Sequence, residues 1–562
     1  MGRPRHPVRR RAVGGSRRDF FRRLGVAAVA VGAVPLLQAC GGGGDAPPAA
    51  QGPFLHGVAS GDPLADRVVL WTRVTPAAAG PVTVDVVVAT DTALAAVAAR
   101  GRVVTDAGRD HTVKVDVAGL QPGTTYYYRF TADGAVSPVG RTRTLPAAGV
   151  DRLRLAVASC ASLGHGYFNA YRRIAGRADL DLVVHLGDYL YEYGNGEYGN
   201  VRDYEPPHET VTLADYRLRH AQYKRDADLQ ALHRQHAVVA IWDDHEFADD
   251  AWSGGAANHT EGAEGRWSDR VAAALQAYHE WMPVRTVDPA DLRRNNRSFA
   301  CGGLVDLVML EERLLARSQQ LDGNTDLGGD AFRQTDAYTD PARQMLGSAE
   351  ESWLATTLRA STARWKLVGQ GVMFAQLKLT PGSNAEGGGV FLNSDQWDGY
   401  QPARDRVHDI LRGAGGAPAV SDVVVLTGDI HSSWAADLTP DPNNPDVAAG
   451  GYDPFTGAGS RAVEFVAPSV TSPGLPSFDA ALALRLKPIN PHFKYIDLTQ
   501  RGYLLLDIDA TRVVCEWWYV DGVASSGEGE SFGTAWQVTA GSNRLTAGAQ
   551  TAPRSGAPAL AP

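Results

Sequence analysis

The chain has little cysteine. Four occur in 562 residues, and beyond residue 40 only Cys160, Cys301 and Cys515 remain. An odd number excludes a fully paired disulfide framework, so at least one thiol is free, buried or bound to something. Long apolar runs are also missing: the uncharged stretch from Gly25 to Leu37 is too short to span a bilayer as a mature helix. A basic surface is absent once the amino terminus is set aside. Residues 1–24 hold nine Arg and one Asp and residues 25–40 hold no charge, so taking this +8 from the formal net charge of −9 leaves −17 on residues 41–562. Such an acidic chain repels polyphosphate backbones, which argues against nucleic-acid binding and suits a protein that concentrates cations. No internal repeat is visible.

What is present is an ordinary globular composition, 44% hydrophobic and 21% charged, in a chain long enough for a large core and two domains. The amino terminus reads as an address. "SRRDFFRRLGVAAVAVGAVPLLQAC" sets Arg17 and Arg18 before Phe20 and Phe21 and then an apolar run, the pattern of a twin-arginine export signal over residues 1–40. "LQAC" resembles a lipoprotein box with Cys40 as the acylated residue, although Gln38 is unusual there; ordinary cleavage nearby is the alternative. Residues 41–52, rich in Gly, Pro and Ala, then form a linker. Twin-arginine export carries folded proteins, which suits a chain that acquires a cofactor first. The translocase is then a partner, and the destination is the periplasm, the cell surface as a lipoprotein, or the medium.

Residues 53–148 alternate short β-rich runs such as "RVVLWTRV" and "VTVDVVVAT" with turns, which predicts a small antiparallel sandwich. "GLQPGTTYYYRF" looks like the corner and strand of a fibronectin-type-III-like domain. Over residues 149–540, buried-strand runs alternate with helical patterns, "LADYRLRHAQYKRDADLQALHRQ" and "GRWSDRVAAALQAYHEWM" among them, as in a layered α/β domain. Residues 541–562 are rich in Ala, Pro and Gly and read as a disordered tail.

Four apolar runs end in groups able to hold a metal: "AVASC" in Cys160, "VVHLGD" in Asp188, "VVAIWDDHE" in Asp243, Asp244, His245 and Glu246, and "VVVLTGDIH" in Asp429 and His431. Tyr191 follows Asp188 by three residues. Sheets of this class bind ligands at the carboxyl ends of their strands, so these endings can converge. Converging carboxylates repel one another unless cations lie between them, which predicts two or more ions. Oxygen ligands suit Ca²⁺, Mg²⁺, Mn²⁺ or iron, and a thiolate with a phenolate points toward iron. The competing reading is helix caps and a core cysteine.

"GDYLYEY", "IWDDHEFADDAW" and "LTGDIHSSW", supported by "HGVASGDPLADRVVLWTRV", "NSDQWDGY" and "NPH", resemble the variant metallophosphoesterase signature of the PhoD-type alkaline phosphatase and phosphodiesterase family, from about Phe54 to Trp518. The resemblance implies a metallophosphoesterase-like α/β/β/α sandwich after the small β-sandwich, and a centre of one Fe³⁺ and two Ca²⁺. Cys160, Tyr191 and His431 would bind iron, Asp188 would bridge iron and calcium, and Asp244, Asp429 and Asn258 would hold calcium. His245 would donate a proton or hydrogen bond near the leaving group, with Asp188 and Asp244 completing the catalytic set; the bland alternative for His245 is a bond to a neighbouring backbone carbonyl. Asp243 is left to a supporting role. Two positions depart from the family: Asp249 stands where Asn is expected, and Glu311 where Asp is usual.

The activity implied is an exported, metal-dependent phosphomonoesterase or phosphodiesterase that releases phosphate from organic esters by attack of a metal-activated water or oxide. Two alternatives are a phosphodiesterase specialised for teichoic acid or phospholipid head groups, and a calcium-stabilised cell-surface binding protein.

Overall fold

The computed structural model describes residues 52–326, 331–474 and 480–562. The expected export signal, Cys40 and the expected linker up to residue 51 lie outside the described residues. Two β-sheets pack face to face and each carries helices on its outer side. The ten-stranded sheet runs Leu545–Ala547, Glu530–Thr539, Arg512–Val520, Gly502–Asp509, Arg152–Ala158, Leu182–Leu186, Ala237–Ile241, Val58–Gly61, Arg67–Arg73, Thr112–Ala118. The seven-stranded sheet runs Arg297–Cys301, Val305–Met309, Trp365–Gln370, Val423–Thr427, Ala462–Val466, Ser433–Leu438, Phe493–Asp497.

The central strands of both sheets are parallel. LVVHL, AVVAI and VVVLT are buried at every position, as expected where both faces of a parallel sheet are covered. Between the sheets lie Val157, Val184, Val239, Leu307, Leu367, Val424 and Phe465. Helices Leu213–Lys224, Ala227–Gln235 and Trp267–Trp281 cover the first sheet, and Gly347–Ala360 and Gln401–Arg412 cover the second. This is the α/β/β/α arrangement. The helical pattern at 213–235 is broken in two because Asp226 turns to cap the second helix, accepting the N–H of Asp228 and Leu229.

The amino-terminal strands form two facing sheets around Val68, Leu70, Val84, Val86 and Phe130. One of these sheets is the edge of the ten-stranded sheet: Val58–Gly61 pairs in parallel with Ala237–Ile241. The contact is close enough to require Gly61, whose Cβ would lie 2.2 Å from the carbonyl oxygen of Pro283.

The carboxyl terminus corrects the expectation of a disordered tail. Leu545–Ala547 pairs with Glu530–Thr539, Arg554 Nη1 donates to Asp181 (2.9 Å), and Ala561 N donates to Gln235 Oε1 (2.8 Å). Composition misled because a strap needs few apolar groups when buried carboxylates and amides await it. Among the described residues no helix is long and apolar enough to cross a membrane.

Candidate metal centre

The groups singled out by the sequence come off strand ends in both sheets. Cys160, Asp188 and Asp244 follow Arg152–Ala158, Leu182–Leu186 and Ala237–Ile241 of the ten-stranded sheet, while Asp429 and His431 follow Val423–Thr427 of the other. The site therefore straddles the seam between the sheets. Cys160, Asp188, Asp429 and His431 all adopt left-handed backbone, with φ of 61°, 53°, 59° and 56°. That conformation costs about 1–3 kcal/mol for a residue with a side chain and persists where the surroundings over-determine it. Two glycines let the loops close on Asp243: a Cβ on Gly187 would lie 2.5 Å from Asp243 Cβ, and one on Gly371 would lie 2.6 Å from its Oδ1.

Four donor groups result, each with ligand atoms within 4.8 Å of one another: Cys160, Asp188 and His431; Asp188, Asp244 and His245; Asp243, Asp244 and Asp429; Asp244, Asp249 and Asp250. Asp188 joins the first to the second and Asp244 joins the rest, so the sites adjoin. Tyr191 completes the first group. Its hydroxyl donates to Asp188 Oδ2 (2.9 Å), lies 3.1 Å from His431 Nε2 and accepts from Ser472 Oγ (2.7 Å). Asp188 Oδ1 is buried with no hydrogen-bond partner, an orphaned oxygen that a cation would satisfy. Burial pushes the Cys160 thiol and the Tyr191 phenol well above their ordinary ranges, and the charge of Asp188 adds to both shifts. Burial also raises Asp188; His245 opposes this while Asp244, Glu246 and Asp429 reinforce it. A donor set held this far from its anionic form suits a strongly polarising cation that would displace the protons. Sulfur, phenol and imidazole fit a transition metal in the first group, and the carboxylates fit hard divalent ions in the others.

The paired aspartates are separated by their partners. Asp243 accepts from Arg313 Nε, and Arg313 Nη1 donates to Asp395 (3.0 Å). The Nη2 of this fully buried arginine stands 3.7 Å from both Asp244 and Asp429. Asp244 instead accepts backbone N–H groups of His245 (3.1 Å) and Asp250 (2.6 Å). Glu246 faces the backbone, receiving N–H groups of Asp188, Tyr189 and Asp243, and burial raises its carboxyl to about 8.

His245 bonds to a carboxylate rather than a backbone carbonyl. Its Nδ1 lies 2.8 Å from Glu192 Oε2. Burial disfavours the imidazolium, but Asp244, Glu192 and Asp188 outweigh it and hold His245 well above its ordinary value. Glu192 also accepts from Asp249 N and from Asn258 Nδ2, both at 2.8 Å. Asn258 is thus tied to the site through Glu192. Sequence reasoning missed the roles of Glu192 and Arg313; the only signal was their place in "GDYLYEY" and "MLEERLLAR". Glu311 is structural: its carboxylate accepts from Trp242 Nε1 and the N–H groups of Arg313, Leu314 and Leu315.

The family profile "PhoD-like phosphatase" matches residues 155–517, and "PhoD-like phosphatase, N-terminal domain" matches residues 40–146. Alkaline phosphatase D of Bacillus subtilis (strain 168) is 37% identical over 470 residues, which cover 80% of this chain and 75% of that protein. A solved structure described as "Structure of PhoD" superposes with a TM-score of 0.77 at 34% identity, covering 90% of this chain and 94% of that one. With its signature residues gathered across the seam of the two sheets, the chain belongs to the PhoD-like phosphatase family.

Proposed function

We propose that the protein is a metal-dependent phosphoesterase, an alkaline phosphatase acting on phosphomonoesters, phosphodiesters or both, exported by the twin-arginine route and either released or anchored through Cys40. The observation that carries the catalytic reading is the run of adjoining donor groups joined by Asp188 and Asp244. Cys160, Tyr191 and His431 would hold Fe³⁺, Asp188 would bridge, and Asp244, Asp429 and Asn258 would hold two Ca²⁺. When bound, these ions would neutralise the phosphoester oxygens, activate a water and steady the leaving alkoxide. His245, fixed through Nδ1 by Glu192, would use Nε2, which stands 3.8 Å from Asp249 Oδ1, to donate to the leaving-group oxygen. The aromatic rings of Tyr191 and Tyr193, 4.1 and 5.5 Å from the imidazole, hold it in place.

The test is metal analysis of unchelated protein alongside hydrolysis of p-nitrophenyl phosphate and bis-p-nitrophenyl phosphate, with and without a calcium chelator. Iron, calcium and a chelator-reversible activity are expected, together with a visible charge-transfer band that Tyr191→Phe abolishes. Full activity in a zinc-only preparation would overturn the metal assignment. Failure of metal-replete protein to cleave either ester would overturn the activity.

A further inference from the structure

Arg501 makes no ion pair within 4 Å among the described residues; the nearest charges acting on it are those of Asp497 and Tyr198. It ends the turn that carries the chain from Phe493–Asp497, the edge of the seven-stranded sheet, into Gly502–Asp509 of the ten-stranded sheet. Asp497 Oδ1 shapes that turn by accepting N–H groups of Thr499 (2.9 Å) and Gln500 (3.0 Å). Gly502–Asp509 runs antiparallel to Arg152–Ala158, with Leu504 opposite Val157, so its first residues lie at the end of the sheet where Cys160 emerges. Gly502 N donates to Ser469 O (2.9 Å), and Ser469 pairs with Ser159. The backbone of Arg501 is thereby fixed at the rim of the site.

Its guanidinium and the backbone of His431 flank the same glycine: a Cβ on Gly474 would lie 2.5 Å from the carbonyl oxygen of Leu498, 3.3 Å from Arg501 Nη1 and 3.3 Å from the carbonyl oxygen of His431. Tyr198, whose charge interaction with Arg501 marks it as a neighbour, stacks on Tyr191 at 5.3 Å and meets His165 edge-on at 4.4 Å. Arg501 Nη1 donates to Thr499 O (2.6 Å), while Nε is buried without an acceptor. The Nε edge of a guanidinium is half of the fork that matches two phosphate oxygens. Arg313 is occupied differently: its Nε and Nη1 are held by Asp243 and Asp395, and its Nη2 faces the carboxylates Asp244 and Asp429 at 3.7 Å.

We propose that Arg501 binds the non-bridging oxygens of the phosphoester from the side of Tyr191 and His431, as a substrate-binding residue of the phosphoesterase proposed above. The metal ions answer the charge of the carboxylates, and the phosphoryl group brings additional negative charge that Arg501 is free to meet.

The test uses the full chain, metal-replete, with Arg501→Met and Arg501→Lys. Metal content, inhibition by inorganic phosphate, and KM and kcat on the two p-nitrophenyl esters are measured. Expected are unchanged metal content, a rise in the phosphate inhibition constant and a fall in kcat/KM of about 10- to 100-fold for Arg501→Met, and partial recovery in Arg501→Lys. Added guanidinium ion should restore activity to Arg501→Ala, which a purely structural role would not allow. An Arg501→Met protein that keeps the wild-type phosphate inhibition constant, or that loses metal in step with activity, overturns the proposal. Should the wild type cleave neither ester, the phosphoesterase reading fails on its own, and calorimetric phosphate binding still decides: affinity lost in Arg501→Met supports the assignment, and affinity retained refutes it.

Discussion

Exchanging Asp243 and Asp244 for asparagine one at a time should separate a metal ligand from a charge partner. Asp244 belongs to three of the four donor groups. Asp244→Asn keeps the volume and an oxygen ligand but removes one charge facing the cations, so calcium affinity and turnover should fall about 10- to 100-fold or more, the scale of disturbing the shell around a metal. In chelated protein the consequence is smaller. Carboxylates within 4.8 Å of one another repel by about 3 kcal/mol or more per ionised pair at an effective dielectric of 20, but Arg313 Nη2 stands 3.7 Å from Asp244 and attracts it by a similar amount. Removing the charge of Asp244 should therefore change the stability of the chelated fold by no more than about 1 kcal/mol. Asp243→Asn acts chiefly on Arg313. That buried guanidinium would keep Asp395 at 3.0 Å, so the loss should be about 1–3 kcal/mol, below the 3–5 kcal/mol of a buried charge left alone. Turnover against free calcium and thermal midpoints with and without chelator measure both effects. If Asp243→Asn kills activity at full thermal stability while Asp244→Asn stays active, the register is off by one and the roles of Asp244 and His245 fall together.

Iron uptake should strengthen as pH rises. The Cys160 thiol, Tyr191 phenol and Asp188 carboxyl are all shifted upward in the protein alone, so they hold protons that binding must release; affinity independent of pH across the neutral range would refute this. Glu192→Gln should cut turnover about 10- to 100-fold on alkyl phosphates and less on p-nitrophenyl phosphate, because a leaving group that needs no proton gains little from an oriented His245; equal losses on both would make Glu192 merely structural. Deleting residues 549–562 removes the contacts of Arg554 and Ala561 and should cost about 1–3 kcal/mol of stability. Activity at 25 °C should persist, because these contacts lie at the amino-terminal ends of the strands. Loss of activity at an unchanged thermal midpoint would refute that placement.

The strand ends were legible because a parallel strand buried on both faces is a short apolar run, and a ligand directly after it stands out. "VVHLGD" and "VVVLTGD" carry that signal, but neither says which sheet it joins; one lies in each. Val58–Gly61 reads as a sandwich strand, since nothing in VASG shows that its partner is Ala237–Ile241. The residues behind the ligands were hidden for a different reason. Arg313, Glu192 and Arg501 sit at no strand end of a recognisable kind, and their roles arise from groups that only the fold brings near. "NSDQWDGY" was legible as a motif but not in its parts: Asp395 pairs with Arg313, and Gln396 Nε2 donates to Asp429. "NPH" joins none of the four donor groups among the described residues; His492 Nε2 lies 2.9 Å from the carbonyl oxygen of Gln376.

A site built across the seam also sets an order in time. The strand that delivers Cys160 lies between Leu182–Leu186 and Gly502–Asp509, so its second neighbour leaves the ribosome long after it does. Asp429 and His431 ride on a sheet whose edge strand is Phe493–Asp497. The full set of donors therefore cannot exist on a nascent chain, and long-range pairings of this kind form slowly even after release. A stalled chain ending before residue 502 would carry Cys160 on an open sheet edge, exposed to oxidants and stray soft metals. Metallation thus waits until the strand at residues 502–509 has been made.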